Sequence, residues 1–161
     1  MNKKIFCSPV QKYGDFFLPV CETISNRNKK GVKRMRRIVL DMQTALFSEA
    51  VSDALDKSDP DFCVYCAESV EQAEALCRSC RAYALITEVT RRHPRTLEDR
   101  IALGKAVKAR VPSCKTVLLI DENADPELAA KVRQTKKDGL VDNFIYGSVS
   151  PTYLAAVIDA L

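Results

Sequence analysis

Residues 115–139, KTVLLIDENADPELAAKVRQTKKDG, hold one strand–helix unit of this chain. KTVLLID (115–121) is a continuous apolar run closed by an acid. A run of that length without alternation reads as a strand buried on both faces. The helix that follows is announced by its ends. Asp125 stands at the N-cap, Pro126 at the first helical position and Gly139 just past the last turn.

The same unit recurs on either side. RRIVLD (36–41) is an apolar run, and TALFSEAVSDALDK (44–57) places Leu46, Phe47, Ala50, Val51, Ala54 and Leu55 at helical spacing. DFCVYCA (61–67) reads as a strand, and SVEQAEALCRSC (69–80) as a helix with Ser69 and Gln72 in capping-box spacing. YALITEV (83–89) precedes a helix over 96–111, with Thr96 and Asp99 at its cap and Leu97, Ile101, Gly104, Val107 and Val111 on one face. NFIYG (143–147) precedes a last helix opened by Ser150 and Pro151, with Leu154, Val157, Ile158 and Leu161 inward. Strand and helix thus alternate five times, which predicts an α/β domain with a parallel sheet covered on both faces.

Composition bounds the rest. The chain has 161 residues, 47% of them hydrophobic and 29% charged, which suits one soluble domain. No apolar run approaches a membrane span. The net charge of +4 is unevenly placed. Residues 1–34 hold eight basic and two acidic residues, whereas residues 35–161 hold seventeen basic and nineteen acidic. The body therefore has no electrostatic footprint for nucleic acid. Residues 1–34 read as a poorly ordered or non-native extension ahead of a domain at 35–161. The codons for Lys-Gly-Val-Lys, just before Met35, can spell a ribosome-recruiting stretch, which makes Met35 the expected start. A basic arm and a structured extension are the alternatives. Seven cysteines, an odd number, with no clean signal peptide suit free thiols in a reducing cytoplasm.

ALITEVTRRHP (84–94) carries the most suggestive chemistry. Glu88 ends an apolar run, where a carboxylate is costly unless something pairs or uses it. Arg91, Arg92 and His93 follow at once.

A (βα)₅ chain with acids at its strand ends, closing in VDNFIYGSVSPTYLAAVIDAL (141–161), resembles the receiver domain of two-component response regulators. The resemblance covers residues 36–161. It implies a flavodoxin-like five-stranded parallel sheet in the order 2-1-3-4-5, with helices on both faces. It also implies a cytoplasmic signalling module of the bacterial phosphorelay type that is not an enzyme. Receivers hold Mg²⁺ with two acids after the first strand, and phosphorylate an aspartate ending the third. A hydroxyl residue ends the fourth strand and a lysine the fifth. Here the acid pair falls on Asp41 and Met42, the phosphoacceptor on Glu88, the hydroxyl on Asp121 and the lysine on Gly147. A proline expected four residues past the acceptor stands six past it, at Pro94.

These departures imply a divergent receiver that does not run the usual phosphotransfer. Glutamate displaces the attacking carboxylate by about 1 Å, a shift that can cost on the order of 10²-fold. Losing a fixed positive charge costs roughly 10²–10³-fold. Asp41, Glu88 and Asp121 are expected to converge at one end of the sheet. They would form a remnant metal site in which Asp41 and Glu88 draw Mg²⁺, or a rim where Arg91 or Arg92 folds back onto Glu88. The remaining expectations are no obligatory cofactor, protein partners, and a homodimer through the fourth helix, fifth strand and fifth helix. A functional phosphoaccepting receiver and a small ligand-binding or enzymatic domain are the alternatives; no nucleophile–base pair or glycine-rich phosphate loop supports the last. CVYC and CRSC have zinc-knuckle spacing, but Cys63 and Cys66 alternate on a strand and Cys77 and Cys80 lie on an apolar helical stripe, so core thiols are expected.

Overall fold

A computed structural model describes residues 35–161. The expectations for residues 1–34 lie outside the described residues. Five strands, β1 (Arg36–Asp41), β2 (Phe62–Ala67), β3 (Ala84–Glu88), β4 (Lys115–Ile120) and β5 (Asn143–Tyr146), alternate with five helices. These are α1 (Ala45–Ser58), α2 (Val70–Cys80), α3 (Leu97–Arg110), α4 (Pro126–Lys137) and α5 (Pro151–Asp159). All strand pairs are parallel, and the sheet order is β2-β1-β3-β4-β5, as the resemblance implied.

The helix starts follow the capping chemistry. Thr44, Ser69, Thr96, Asp125 and Ser150 each accept a backbone N–H of the first turn through their side chains. At α3 the capping box is complete, since the Asp99 carboxylate also accepts from the Thr96 N–H. Gln72 departs slightly from expectation, accepting from the Glu68 N–H rather than that of Ser69. Gly139 ends α4 with φ +71, the left-handed conformation that glycine adopts freely.

Successive side chains of each strand leave on opposite faces. Ile38 and Leu40 of β1, Ile86 of β3 and Val117 and Leu119 of β4 pack with Leu55 of α1 and Ile158 of α5. Val39 and Leu85 take the other face, with Cys77 of α2 and Val107 of α3. Leu118 and Ile120 continue that face under Leu128 and Val132 of α4. This parity assigns the residues at the strand ends too. Asp41 follows Val39 towards α2 and α3, whereas Glu88 follows Ile86 towards α1 and α5.

Helix α3 lies close against the sheet at Gly104, where an added Cβ would stand 3.0 Å from Thr116 Cγ2 and 3.1 Å from its Oγ1. Both atoms belong to a buried strand that cannot retreat. We expect Gly104→Leu to destabilise the domain by roughly 1–3 kcal/mol through overpacking. A lower urea midpoint at unchanged slope checks this; an unchanged midpoint would show that α3 can lift off β4.

Candidate functional site

The C-terminal ends of the strands carry two distinct arrangements, one on each face of the sheet. On the α3 side lies Asp41, with no solvent exposure at all. Its Oδ1 accepts from Arg95 Nη1 at 2.7 Å, and its Oδ2 accepts from Arg100 Nη1 at 2.5 Å. Thr87, opposite it in register on β3, adds a hydroxyl at 3.5 Å. Arg100 is itself fully buried, and its Nε donates to the Glu88 carbonyl at 2.9 Å. Burial pushes the Arg100 guanidinium below its ordinary value, opposed by the Asp41 charge; the charge of Arg95 also acts downward.

On the α1 side a cleft of about 390 Å³ opens, lined by Thr44, Phe47, Glu88, Asp121, Asn123, Gly147 and Ser148. Glu88 Oε2 accepts from the Gln43 N–H at 2.6 Å, which ties β3 to the β1–α1 loop. Asp121 Oδ1 accepts from the N–H groups of Asn123 and Ala124, closing the turn into α4. An anionic group entering this cleft meets two carboxylates and no lysine or arginine among the lining residues. Coulomb repulsion therefore opposes a phosphoryl group there.

The expected meeting of Asp41, Glu88 and Asp121 divides at the sheet. Glu88 and Asp121 share the cleft with Gly147, while Asp41 lies beneath it on the far face. Met42 turns its side chain into the α1–α5 core, 4% exposed. The arginines also depart from expectation. Neither Arg91 nor Arg92 folds back onto Glu88. Arg91 instead pairs with Asp125, its Nη2 to Oδ1 at 2.7 Å and its Nε to Oδ2, and reaches Glu127 at 3.2 Å. Arg92 is exposed and makes no ion pair among the described residues. Arg91 has this destination because Asp125 caps α4 directly across the loop.

A divalent cation does not fit the donor set on the α3 side. A hard cation needs free carboxylate oxygens, and both oxygens of Asp41 hold guanidinium protons while Met42 offers only a thioether facing the core. Among the described residues no group of three His, Cys, Asp or Glu side chains is placed to hold a metal.

Solved structures that superpose on this chain include several response regulators. A response regulator from Thermotoga maritima superposes with a TM-score of 0.63 at 15% identity, covering 78% of this chain and 96% of its own. An orphan response regulator of H. pylori gives 0.60 at 17%, covering 80% and 98%. A response regulator from Desulfuromonas acetoxidans gives 0.60 at 19%, covering 78% and 94%. This is the response-regulator receiver fold. No protein-family model matches the sequence, and no curated protein matches it.

Against the receiver pattern, the residues that sequence reasoning missed are Arg95, Arg100 and Thr87. Arg100 left a signal. Leu97, Arg100, Gly104, Val107 and Val111 recur at three and four residues, so Arg100 is the one charge on a buried stripe. Such a charge demands a buried partner, and Asp41 ends the strand beneath it.

The thiols divide by position. Cys77 is buried, Cys63 and Cys80 are half-buried and Cys66 is exposed, so of the two CxxC pairs only Cys77 is fully a core residue. Its neighbour Cys114, together with burial, pushes the Cys77 thiol far up. Burial pushes Cys80 up to about 11, which leaves it a poor nucleophile at neutral pH. Among the described residues no helix is long and apolar enough to cross a membrane.

Two outcomes test these arrangements. Asp41→Ala leaves Arg100 buried without its counter-ion and is expected to cost about 3–5 kcal/mol in urea unfolding. The pair Asp41→Leu with Arg100→Met removes both charges and is expected to recover at least half of that loss. A single-mutant cost below about 1 kcal/mol would show that water reaches the pair. Second, the Arg91 guanidinium, helped by the Leu128 N–H, holds the Asp125 carboxyl down at about 2 from an ordinary 3.8. The folded value lies below the unfolded one, so this link is complete above pH 3.8 and is lost as pH falls through about 2. A carboxyl-carbon NMR titration should find that midpoint, and Arg91→Gln should return it towards the ordinary range.

Proposed function

We propose that this chain is a receiver-like signalling module that acts by protein–protein contact and is not switched by aspartyl phosphotransfer. The observation that carries the reading is the occupancy of Asp41. A receiver recruits a cation at this carboxylate on demand; here Arg95 and Arg100 supply positive charge permanently. The acceptor position supports the same reading. Glu88 brings a longer side chain, one of its oxygens is committed to the Gln43 N–H, and its neighbours in the cleft include the carboxylate of Asp121 and no cationic side chain. Phosphoryl transfer rests on positioning and charge stabilisation, and this cleft supplies neither from its own residues.

Contact is proposed at the face made by α4, β5 and α5. Phe144 and Tyr146 meet edge to face with ring centroids 5.3 Å apart, and Lys136 lies over the Phe144 ring at 5.8 Å while donating to Asn143. Leu140 and Tyr153 are exposed nearby in sequence, at 41% and 57%. An apolar centre with a charged rim suits a homodimer or a protein partner. In this reading the module is not an enzyme and needs no cofactor.

The test is a titration of the protein with Mg²⁺ and beryllofluoride, followed by amide spectra and sedimentation. No saturable change is expected, together with an association state set by protein concentration. A saturable response abolished by Glu88→Ala would overturn the reading in favour of a working phosphoacceptor. Tyr153→Glu is expected to weaken self-association by about tenfold, or 1.4 kcal/mol, without changing the urea midpoint.

A further inference from the structure

The loop between β3 and α3 is held as one body by its own backbone. The Thr90 N–H donates to the Arg95 carbonyl at 2.7 Å, and the Arg95 N–H donates to the Arg92 carbonyl at 2.8 Å. The Arg92 N–H donates to Thr90 Oγ1 at 3.2 Å. At its base the Val89 N–H donates to the Leu119 carbonyl at 2.8 Å. A turn so closed moves as a unit.

Two arginines leave this unit in different directions. Arg95, its side chain 14% exposed, reaches down to the buried Asp41 at the end of β1. Arg91 reaches across to Asp125 and Glu127, the N-cap and first turn of α4. Asp125 is doubly used, since the oxygen that accepts from Arg91 Nη2 also accepts the Leu128 N–H that starts the helix. The charged end of β1 and the start of α4 are thereby joined through one small rigid turn.

We infer that Arg95 is a built-in latch: by holding Asp41 it sets the position of residues 90–95, and Arg91 passes that position to the first turn of α4. The device rests on the proposed function in one respect, that no phosphoryl group or metal takes the Asp41 side of the link. The physical argument is one of exposure and coupling. The Asp41–Arg95 contact is nearly dry and therefore strong, and the Arg91–Asp125 contact is half-wet and therefore weak alone. A weak contact holds its partner firmly when the group that carries it is already immobilised, because the entropy of placing it has been removed beforehand. Releasing Arg95 therefore loosens the Arg91 link as well, although Arg91 itself is unchanged.

Amide hydrogen exchange on the full chain tests the latch, with Arg95→Gln, Arg91→Gln and the double variant. Arg95→Gln should speed exchange at the amides of positions 90 and 95 by roughly 30-fold or more, the lower end of the scale expected on truncating one partner of a buried charge pair. It should also speed exchange at Leu128 and Ala129, several-fold or more. Arg91→Gln should speed the α4 amides alone. In the double variant the α4 effect should fall well short of the product of the two single effects, because both act through one link.

Fast loop amides with wild-type α4 amides in Arg95→Gln would overturn the inference, as would independent effects in the double variant. Should Arg95→Gln unfold the protein, Arg95→Lys replaces it. Lysine keeps the charge without the fork, so partial loosening of both loop and α4 supports the latch, and loosening of the loop alone refutes it. The two readings fail separately. Beryllofluoride acting on the wild type would remove the proposed function, whereas α4 exchange that ignores Arg95 would remove the latch.

Discussion

A fully buried carboxylate is held between two guanidinium groups, and the rest of the site follows from that contact. Asp41 ends β1 with no exposure to water. An unpaired carboxylate buried there would oppose folding. Arg100 from α3 and Arg95 from the preceding loop each donate to one of its oxygens. Such a cluster is weak evidence of net stability, since desolvation cancels much of the Coulomb gain. Its consequence is specificity. Arg100 can satisfy Asp41 and the Glu88 carbonyl together only at one height of α3 above the sheet. Gly104, one turn further along, then lets that helix come close against Thr116.

Strand parity decides how the acids are used. Asp41 and Thr87 leave the sheet on the α3 side, and Glu88 leaves on the other. The three acids are thus separated into a carboxylate buried between two guanidinium groups and an open cleft where Glu88 and Asp121 remain. The two halves meet at Glu88, whose carbonyl takes Arg100 and whose carboxylate takes the Gln43 N–H. Asp41 thus receives its positive charge from within the chain.

Much of the site was legible residue by residue. The positions of Asp41, Glu88, Asp121 and Gly147 at strand ends follow from apolar runs with acids or glycine at their close. The pairing of Arg91 was not legible, because the loop sequence offers Glu88 and Asp125 equally and only the fold brings the α4 N-cap across from it. Arg95 was hidden for a related reason: an arginine in a polar loop looks solvated until a buried acid is found below it. Arg100 could have been found, as the single charge on the apolar stripe of α3.

What the chain determined by itself is local. Apolar runs, capping residues and the proline and glycine at helix ends specify five strands and five helices in order, because these depend on neighbours within a turn or two. Sheet order followed through the resemblance to receivers rather than from periodicity. The tertiary structure alone decided which charge meets which. The contacts of Asp41 with Arg95 and Arg100 span 54 and 59 residues. They exist because strand parity, helix placement and the exclusion of water act together, and none of these is written in a short stretch of sequence.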